Sequence, residues 1–300
     1  MYAAPFSYHR ANSLQDAVKL LQELGEEARL LAGGQSLIPL MKMRMTRPTA
    51  LIDINFIPAL NEIHAPKGEL RFGALARHAE IENSAAASEI PLIHDCASGI
   101  ADVQVRNQGT IGGSLAEADP SGDWATAMLA LETTVVCFGK NGQRTIAIEK
   151  FIKDAYTTDL GHDEVVTAVH VKMPPKGSGG AHVAFKRCAP VYPTASVAVQ
   201  LTLEGKDTCN DARIVLGCVG LTSIRAKEAE AALKGKAINE KTVKTASEAA
   251  QAAADPQRDM RGSADYKRLL LGTLVKRAIG IAVRRARGEP VESGHEYVGR

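Results

Sequence analysis

The chain has 300 residues, more than one hydrophobic core usually holds, which favours two or three structural units. A hydrophobic content of 45% and a charged content of 23% are typical of a soluble globular protein. A net charge of +2 and an aromatic content of 4% argue against binding of nucleic acid.

The N-terminus lacks an apolar secretory region, and no apolar run is long and uncharged enough to span a membrane. We therefore expect a cytoplasmic protein with no membrane span. Cysteine usage agrees, because no two cysteines have C-x-x-C spacing and we expect neither disulfides nor a metal site. We interpret the five cysteines as inert core residues: Cys96, Cys137, Cys188, Cys209 and Cys218.

The N-terminal half reads as short helices and strands in alternation. Ser13 and Asp16 predict a capped helix that ends at Gly25. The other predicted elements are strands over 28–32, 50–54 and 69–72 and helices over 36–45, 78–83 and 90–101. After these come a helix over 123–131, a hairpin of strands 133–138 and 144–148, and a strand over 164–173.

The texture changes after residues 174–180, PPKGSGG, which we interpret as a linker. Beyond it we predict an antiparallel sheet of strands 183–185, 196–203 and 212–219, with helices over 226–233, 240–253 and 264–287. The last helix carries basic residues that form either a solvated face or a docking surface: Lys276, Arg277, Arg284, Arg285 and Arg287. This pattern is that of an α+β domain.

Two glycine-rich stretches are candidate ligand loops. We call residues 32–37 (AGGQSL) the first glycine segment and residues 110–114 (TIGGS) the second glycine segment. Glycine lets backbone N–H groups approach an anion such as a diphosphate, but a glycine pair is also typical of a plain turn. Neither stretch has the Rossmann or the Walker A pattern. From the residues alone, both interpretations stay open.

Asp123 precedes a predicted helix and has two possible roles. It caps the helix N-terminus, or it binds the hydroxyls of a ribose or ribityl chain. Asp119, followed by Pro120, is typical of a turn on either view.

Three longer stretches carry a family resemblance. AGGQSLIPLMKMR (32–44), VRNQGTIGGSLAEADPSGD (105–123) and RGSADYKRLLLGTLVKRA (261–278) occur in this order. Together they resemble the FAD-binding medium subunit of molybdenum hydroxylases, the family of aerobic carbon monoxide dehydrogenase and xanthine dehydrogenase. The resemblance covers nearly the whole chain. It implies a two-lobed FAD-binding domain of the vanillyl-alcohol-oxidase (PCMH) type, followed by an α+β C-terminal domain.

The resemblance also implies domain boundaries and site residues. The FAD-binding domain would span residues 1–175, with lobes of about 1–55 and 56–175, before a C-terminal domain at 176–288 and a polar tail at 289–300. The two glycine segments would hold the FAD diphosphate from two sides, and Asp123 would bind the ribose of the adenosine half. The implied cofactor-binding residues are Ala32, Gly33, Gly34, Gln35, Ser36, Leu37, Leu75, Thr110, Ile111, Gly112, Gly113, Ser114, Asp119, Asp123, Val166 and Lys186.

The flavin end departs from the family pattern. Lys186 matches a family lysine near the flavin ring, where a positive charge favours anionic reduced flavin, although a solvated lysine at a strand end is the plain alternative. Many members carry an Arg and an Asp soon after this lysine, and residues 188–193, CAPVYP, have neither. Tyr192 would stack on or shield the flavin, or simply pack. The first glycine segment has no His or Cys, so we expect FAD to be non-covalent.

The implied function is electron transfer within a complex. A large molybdopterin subunit would oxidise the substrate, and a small subunit with two [2Fe-2S] clusters would pass electrons to FAD here. An external acceptor would then take them. We expect a dimer of heterotrimers and no catalytic residue in this chain. The alternatives are a self-contained FAD-dependent alcohol oxidase or dehydrogenase, and a non-catalytic nucleotide-binding module.

Overall fold

The computed structural model describes residues 2–188, 190–205 and 207–292. Its first unit comprises β1 (Ser7–Arg10), α1 (Leu14–Leu24), β2 (Ala28–Leu31), α2 (Leu37–Lys42) and β3 (Ala50–Asp53). The strands lie in the order β1–β3–β2, and both pairs are parallel. Helix α1 begins where the Ser13 hydroxyl accepts a hydrogen bond from the Asp16 amide, and it ends at Gly25, as predicted.

The second unit holds a five-stranded sheet with the order β4–β5–β10–β6–β7, antiparallel at every pair. A run of short helices between β5 and β6 packs on it, around the fully buried Phe72, Trp124 and Phe151. Its elements are β4 (Ile63–His64), β5 (Glu69–Gly73), α3 (His78–Glu82), α4 (Ala85–Glu89), α5 (Pro91–Gly99), α6 (Val103–Gln108), α7 (Ile111–Glu117), α8 (Asp123–Ala130), β6 (Thr133–Gly139), β7 (Gly142–Ala147), α9 (Ile148–Phe151), β8 (Ile152–Asp154), β9 (Thr157–Thr158) and β10 (Val165–Lys172).

The third unit is an antiparallel sheet, β11–β12–β13–β14, covered by three helices. Its elements are β11 (Ser178–Phe185), β12 (Ala195–Glu204), β13 (Thr208–Gly217), β14 (Ile224–Arg225), α10 (Lys227–Leu233), α11 (Glu240–Ala253) and α12 (Ala264–Ala286). Ala198 and Val215 of its sheet belong to the same core cluster as Trp124 of the second unit. The two units therefore pack directly against each other.

The predicted linker is wrong in its second half. Strand β11 begins at Ser178, so Gly179 and Gly180 are sheet residues. A Cβ on Gly179 would lie 2.1 Å from the carbonyl oxygen of Ala282 in α12. The glycine therefore allows helix α12 to lie close against the strand; it does not provide a flexible connection.

The chain is an α+β protein, as predicted, and most predicted elements are present within a few residues of their expected bounds. The elements without a predicted counterpart are strands β1, β4, β8, β9 and β14 and helices α4, α6, α7 and α9. No helix among the described residues is long and apolar enough to cross a membrane. Of the predicted tail, residues 293–300 lie outside the described part of the chain.

Candidate functional site

The first glycine segment connects β2 to α2, and its two positions require glycine for different physical reasons. Gly34 has a φ of 69°, a left-handed conformation that glycine adopts without strain. A Cβ on Gly33 would lie 2.3 Å from the carbonyl oxygen of Gln108. Gly33 is therefore required because the first segment touches the backbone that leads into the second.

The backbone amides of the first segment are available to a ligand. Within the described ranges, the amides of residues 33–37 donate no hydrogen bond to the chain itself. These residues form a turn followed by the start of α2. Successive N–H groups in a turn make a concavity that suits an anion.

The second glycine segment is the first turn of helix α7 and not a loop. Thr110 is the N-cap, and Gly112, Gly113 and Ser114 are helical. The amides here are already used within the chain, with these donors and acceptors: Ile111 N to Ala76 O at 3.1 Å, Gly112 N to Ala74 O at 2.9 Å, Gly113 N to Thr110 Oγ1 at 3.1 Å and Ser114 N to Thr110 O at 3.0 Å. Unlike the first segment, the second segment therefore does not offer a ligand the free backbone amides of residues 111–114.

The second segment offers a ligand hydroxyl groups and a close approach. The hydroxyls of Thr110 and Ser114 can each donate a hydrogen bond to an anion. A Cβ on Gly112 would lie 2.7 Å from Ala74 O, so this glycine lets α7 sit directly on the end of β5. The sequence left open whether this cluster forms a backbone anion cradle, and the amides of residues 111–114 donate within the chain.

One cavity joins the two segments. Its volume is about 750 Å³, and it extends between the first unit, the second unit and the side chains of Lys186, Pro190, Val191 and Tyr192. Every residue proposed from the sequence to bind the cofactor lines this cavity except Ile111, which is fully buried in the core, and Tyr192 lines it as well. Small-molecule sites in proteins span about 300–1,000 Å³, so the cavity suits a ligand of cofactor size.

Asp123 and Lys186 meet at the wall of this cavity. Asp123 Oδ2 lies 3.7 Å from Lys186 Nζ, and Asp123 Oδ1 lies 3.7 Å from His182 Nε2. Lys186 also donates a hydrogen bond to the carbonyl of Gly99 at the end of α5. Lys186 is only 3% exposed, so its interpretation as a solvated lysine is wrong. Asp123 does not cap α8 either, since Gly122 is the N-cap and no side chain caps that helix.

A buried ion pair continues this polar region between the second and third units. Asp95 in α5 binds Arg285 in α12 through both carboxylate oxygens, at 2.5 and 3.0 Å. Asp95 also accepts a hydrogen bond of 3.2 Å from the His182 amide, and Arg285 donates one of 2.7 Å to Gly180 O. Arg285 is thus part of the core between the units and belongs to neither a solvated face nor a docking surface.

His78 lines the cavity beside the second segment. Its amide donates to Gly109 O at 3.1 Å, and its Nδ1 accepts a hydrogen bond of 3.0 Å from the indole of Trp124. Burial, with Arg77 and Arg106 nearby, lowers the pKa of His78 to about 4. The imidazole is therefore neutral at pH 7, with its proton on Nε2 because Nδ1 is the acceptor.

Tyr192 also lines the cavity, next to the acidic residues Glu117 and Asp119. It is 46% exposed, and the Arg261 guanidinium carbon lies 5.8 Å from its ring centre. Burial of the phenol and the negative charge of Asp119 raise the pKa of Tyr192, so its hydroxyl stays protonated. Burial and Asp119 raise the pKa of Glu117 as well.

The five cysteines differ in how far they are buried. Cys188 is exposed and Cys218 half-buried, whereas Cys96, Cys137 and Cys209 are buried as predicted. Burial raises the pKa of Cys137 to about 12, which keeps it a thiol. No group of His, Cys, Asp and Glu side chains that could hold a metal ion occurs within the described ranges.

Sequence reasoning missed the polar residues that support the cavity wall. His78, His182, Asp95 and Arg285 come from four different elements, and no spacing along the chain brings them together. For Asp95 and His182 a weak signal was present, because each is a polar residue inside a run that otherwise packs in the core.

The chain matches two family models. The model of the FAD-binding domain in molybdopterin dehydrogenase matches residues 4–174, and that of the CO dehydrogenase flavoprotein C-terminal domain matches residues 184–282. The carbon monoxide dehydrogenase medium chain of Hydrogenophaga pseudoflava is 39% identical over 282 residues, which cover 92% of this chain and 96% of the relative. The 6-hydroxypseudooxynicotine dehydrogenase complex subunit alpha of Paenarthrobacter nicotinovorans is 36% identical, covering 94% and 96%.

A solved structure is similar to the whole arrangement. It is that of carbon monoxide dehydrogenase from H. pseudoflava, in a form that lacks the Mo-pyranopterin moiety of its molybdenum cofactor. One of its chains superposes with a TM-score of 0.92 at 40% identity, covering 95% of this chain and 99% of that chain.

Proposed function

Because this chain belongs to the family of FAD-binding subunits of molybdopterin dehydrogenases, we propose that it is the FAD-carrying electron-transfer subunit of a molybdenum hydroxylase. The observation that carries the proposal is that Gly33 touches the backbone of Gln108 and Gly109, just before the second glycine segment, so that both segments line one cavity. An anion bound there meets free amides from one side and hydroxyls from the other.

The residues present fit FAD, and the two glycine segments contribute different hydrogen-bond donors to it. The first segment binds the diphosphate with the amides of residues 33–37, since these donors have no acceptor among the described residues. The second segment contributes the hydroxyls of Thr110 and Ser114. Leu75 and Val166 supply apolar cavity wall, and no His or Cys in the first segment offers a covalent link. FAD is therefore non-covalent.

Asp123 and Lys186 serve the same part of the cofactor. The family pattern assigns Asp123 to the adenosine half and Lys186 to the flavin ring, two regions that the diphosphate separates. Since the two side chains lie 3.7 Å apart, we assign Asp123 to the hydroxyls of the flavin half, beside Lys186. Lys186 then holds a fixed positive charge in a buried wall, which favours added negative charge nearby.

FAD, when bound, supplies the exchange between one-electron and two-electron chemistry. The chain binds and orients it, and the wall at Lys186 excludes water from one side of the site. We further propose that this electron transfer is cytoplasmic and takes place in a dimer of heterotrimers, with a large molybdopterin subunit and a small subunit with two [2Fe-2S] clusters as partners. The external acceptor would approach the half-exposed Tyr192.

The substrate of the complex is not encoded in this chain. The two relatives named above have nearly equal identity, 39% and 36%, yet their names refer to carbon monoxide and to 6-hydroxypseudooxynicotine. A substrate pocket on a partner subunit accounts for this. We also propose that the FAD-binding domain ends near residue 175, where the C-terminal domain begins.

Purification of the chain with and without its partner subunits tests the proposed function. We expect the isolated chain to be yellow, to release FAD on denaturation and to oxidise no substrate alone. Turnover of an alcohol by the isolated chain would favour a self-contained oxidase. A colourless chain after exposure to excess FAD would contradict any flavoprotein assignment.

A further inference from the structure

Asn55 fixes the start of the first glycine segment. It follows β3, and its side-chain amide donates hydrogen bonds to Ala32 O at 2.9 Å and to Asp53 Oδ1 at 2.8 Å. The Ala32 carbonyl opens the segment whose next five residues line the cavity and whose amides donate no hydrogen bond within the described ranges. A side chain outside the segment therefore sets the position of its first peptide group.

Arg77 joins this point to the second glycine segment. One guanidinium nitrogen, Nη2, donates to Asn55 Oδ1 at 2.7 Å, and the other, Nη1, donates to the carbonyl of Gln108. That carbonyl is the group that a Cβ on Gly33 would strike. The hydrogen-bonded path Ala32–Asn55–Arg77–Gln108 thus links the first segment to the backbone just before the second.

The path is supported at both ends and carries a charge. Burial raises the pKa of Asp53, but hydrogen bonds from Asn55 and Tyr8 lower it by more. The pKa of Asp53 is therefore below its ordinary value, and the carboxylate stays ionised. The Arg77 amide donates to Glu80 Oε2 at 2.8 Å at the start of α3. No carboxylate of the described ranges forms an ion pair with the Arg77 guanidinium within 4.0 Å. Burial lowers the pKa of Arg77, whereas the nearby Glu80 and Asp53 carboxylates raise it, so its positive charge is partly offset without a direct ion pair.

From this geometry we propose that Asn55 and Arg77 form a brace that fixes the spacing of the two glycine segments and places a positive charge behind the diphosphate site. Neither residue lines the cavity, so both act through the segments as positioning residues. The inference rests on the proposed function, because it assigns the brace to the site that holds FAD.

Titration of the apo chain with FAD, followed by flavin fluorescence, tests the brace. We expect Asn55→Ala and Arg77→Gln each to raise the FAD dissociation constant about tenfold, the scale of one hydrogen bond involving a charged or buried group. Because the two residues share one path, the double variant should bind no more weakly than the weaker single variant. Asn83→Ala is the matched control, since Asn83 also donates one hydrogen bond to a backbone carbonyl, that of Ala79, but on the exposed side of α3.

Two further readouts separate a brace from a general loss of structure. Titration with ADP, which has the diphosphate but no flavin, should show the same loss of affinity. Arg77→Gln should reduce the salt dependence of FAD binding, while Asn55→Ala and the charge-retaining Arg77→Lys should preserve it. Affinity that falls only in proportion to the unfolded fraction, measured by circular dichroism, would contradict the brace.

The outcomes distinguish the two claims. If the wild-type chain binds no FAD, the proposed function fails. If the wild-type chain binds FAD and both single variants bind it with unchanged affinity, the brace is wrong and the proposed function stands.

Discussion

The ammonium group of Lys186 lies 3.7 Å from the carboxylate of Asp123, and both side chains are almost completely buried. Lys186 belongs to the third unit and Asp123 to helix α8 of the second, so the pair forms where two units meet. The cavity wall is therefore complete only when the third unit is docked. This makes the C-terminal half part of the cofactor site and not an appendage to it.

Replacing Asp123 tests its role at the cofactor. We expect Asp123→Asn to weaken FAD binding by about 1–3 kcal/mol, the scale of a hydrogen bond that involves a charged group. Fluorescence titration measures the effect, and Asp265→Asn is the control because the Asp265 side chain is 95% exposed. Unchanged FAD affinity with only a lower unfolding free energy would show that Asp123 is a structural ion-pair partner.

A methyl group at Gly33 should separate the two glycine segments. Its Cβ would lie 2.3 Å from Gln108 O, which is backbone and cannot rotate away. We expect Gly33→Ala to fold but to bind FAD at least about tenfold more weakly, since more than about 1.4 kcal/mol of contact is lost. Gly280→Ala, whose Cβ meets nothing within 4 Å in helix α12, should bind FAD normally. Equal affinities in the two variants would exclude a close approach of the segments.

The ion pair between Asp95 and Arg285 should dominate the stability of the contact between units. Arg285→Met leaves the buried Asp95 carboxylate without its bidentate partner, and breaking a buried pair costs about 3–5 kcal/mol. Urea unfolding measures the loss. The neighbouring Arg284→Met removes only an exposed pair with Glu289 and should change stability by less than about 0.5 kcal/mol. Similar losses in both variants would contradict this account.

His78 should make stability depend on pH. Its pKa is about 4 in the folded chain and about 6.5 when unfolded, so between these values only the unfolded state takes up the proton. Stability is therefore complete above about pH 6.5 and falls by up to about 1.4 kcal/mol per unit as the pH drops towards 4.

His78→Gln should remove this component. Urea unfolding at pH 7 and pH 5 should give a difference smaller than in the wild type by up to about 2 kcal/mol. His94→Gln is the control, because His94 is on the exposed face of α5. A wild-type pH difference in the His78 variant would mean that other groups are responsible.

Much of the fold follows from local pattern. The capped helix α1, the hairpin of β6 and β7 and helix α12 are visible because caps, turn residues and apolar periodicity are local signals. The pattern fails where tertiary contact decides. Gly179 and Gly180 look like a linker, but both lie in β11, and Gly179 is glycine because the backbone of α12 lies against it.

In the site, too, local motifs are visible in the sequence whereas tertiary contacts are not. Motifs identify the residues that line the cavity, because those stretches resemble a known family. They do not reveal which amides are already used, so the second glycine segment looked like a backbone cradle although its amides donate within the chain. Nor can they identify Asn55 and Arg77, whose roles depend on contacts made across 22 and 31 positions of sequence.

The central claim is that FAD lies with its diphosphate between the two glycine segments. An experimental density map of the FAD-bound chain tests it most directly. The account predicts diphosphate density against the amides of residues 33–37 on one side and the hydroxyls of Thr110 and Ser114 on the other. Density for FAD at any other surface, with this cavity filled only by solvent, would contradict it.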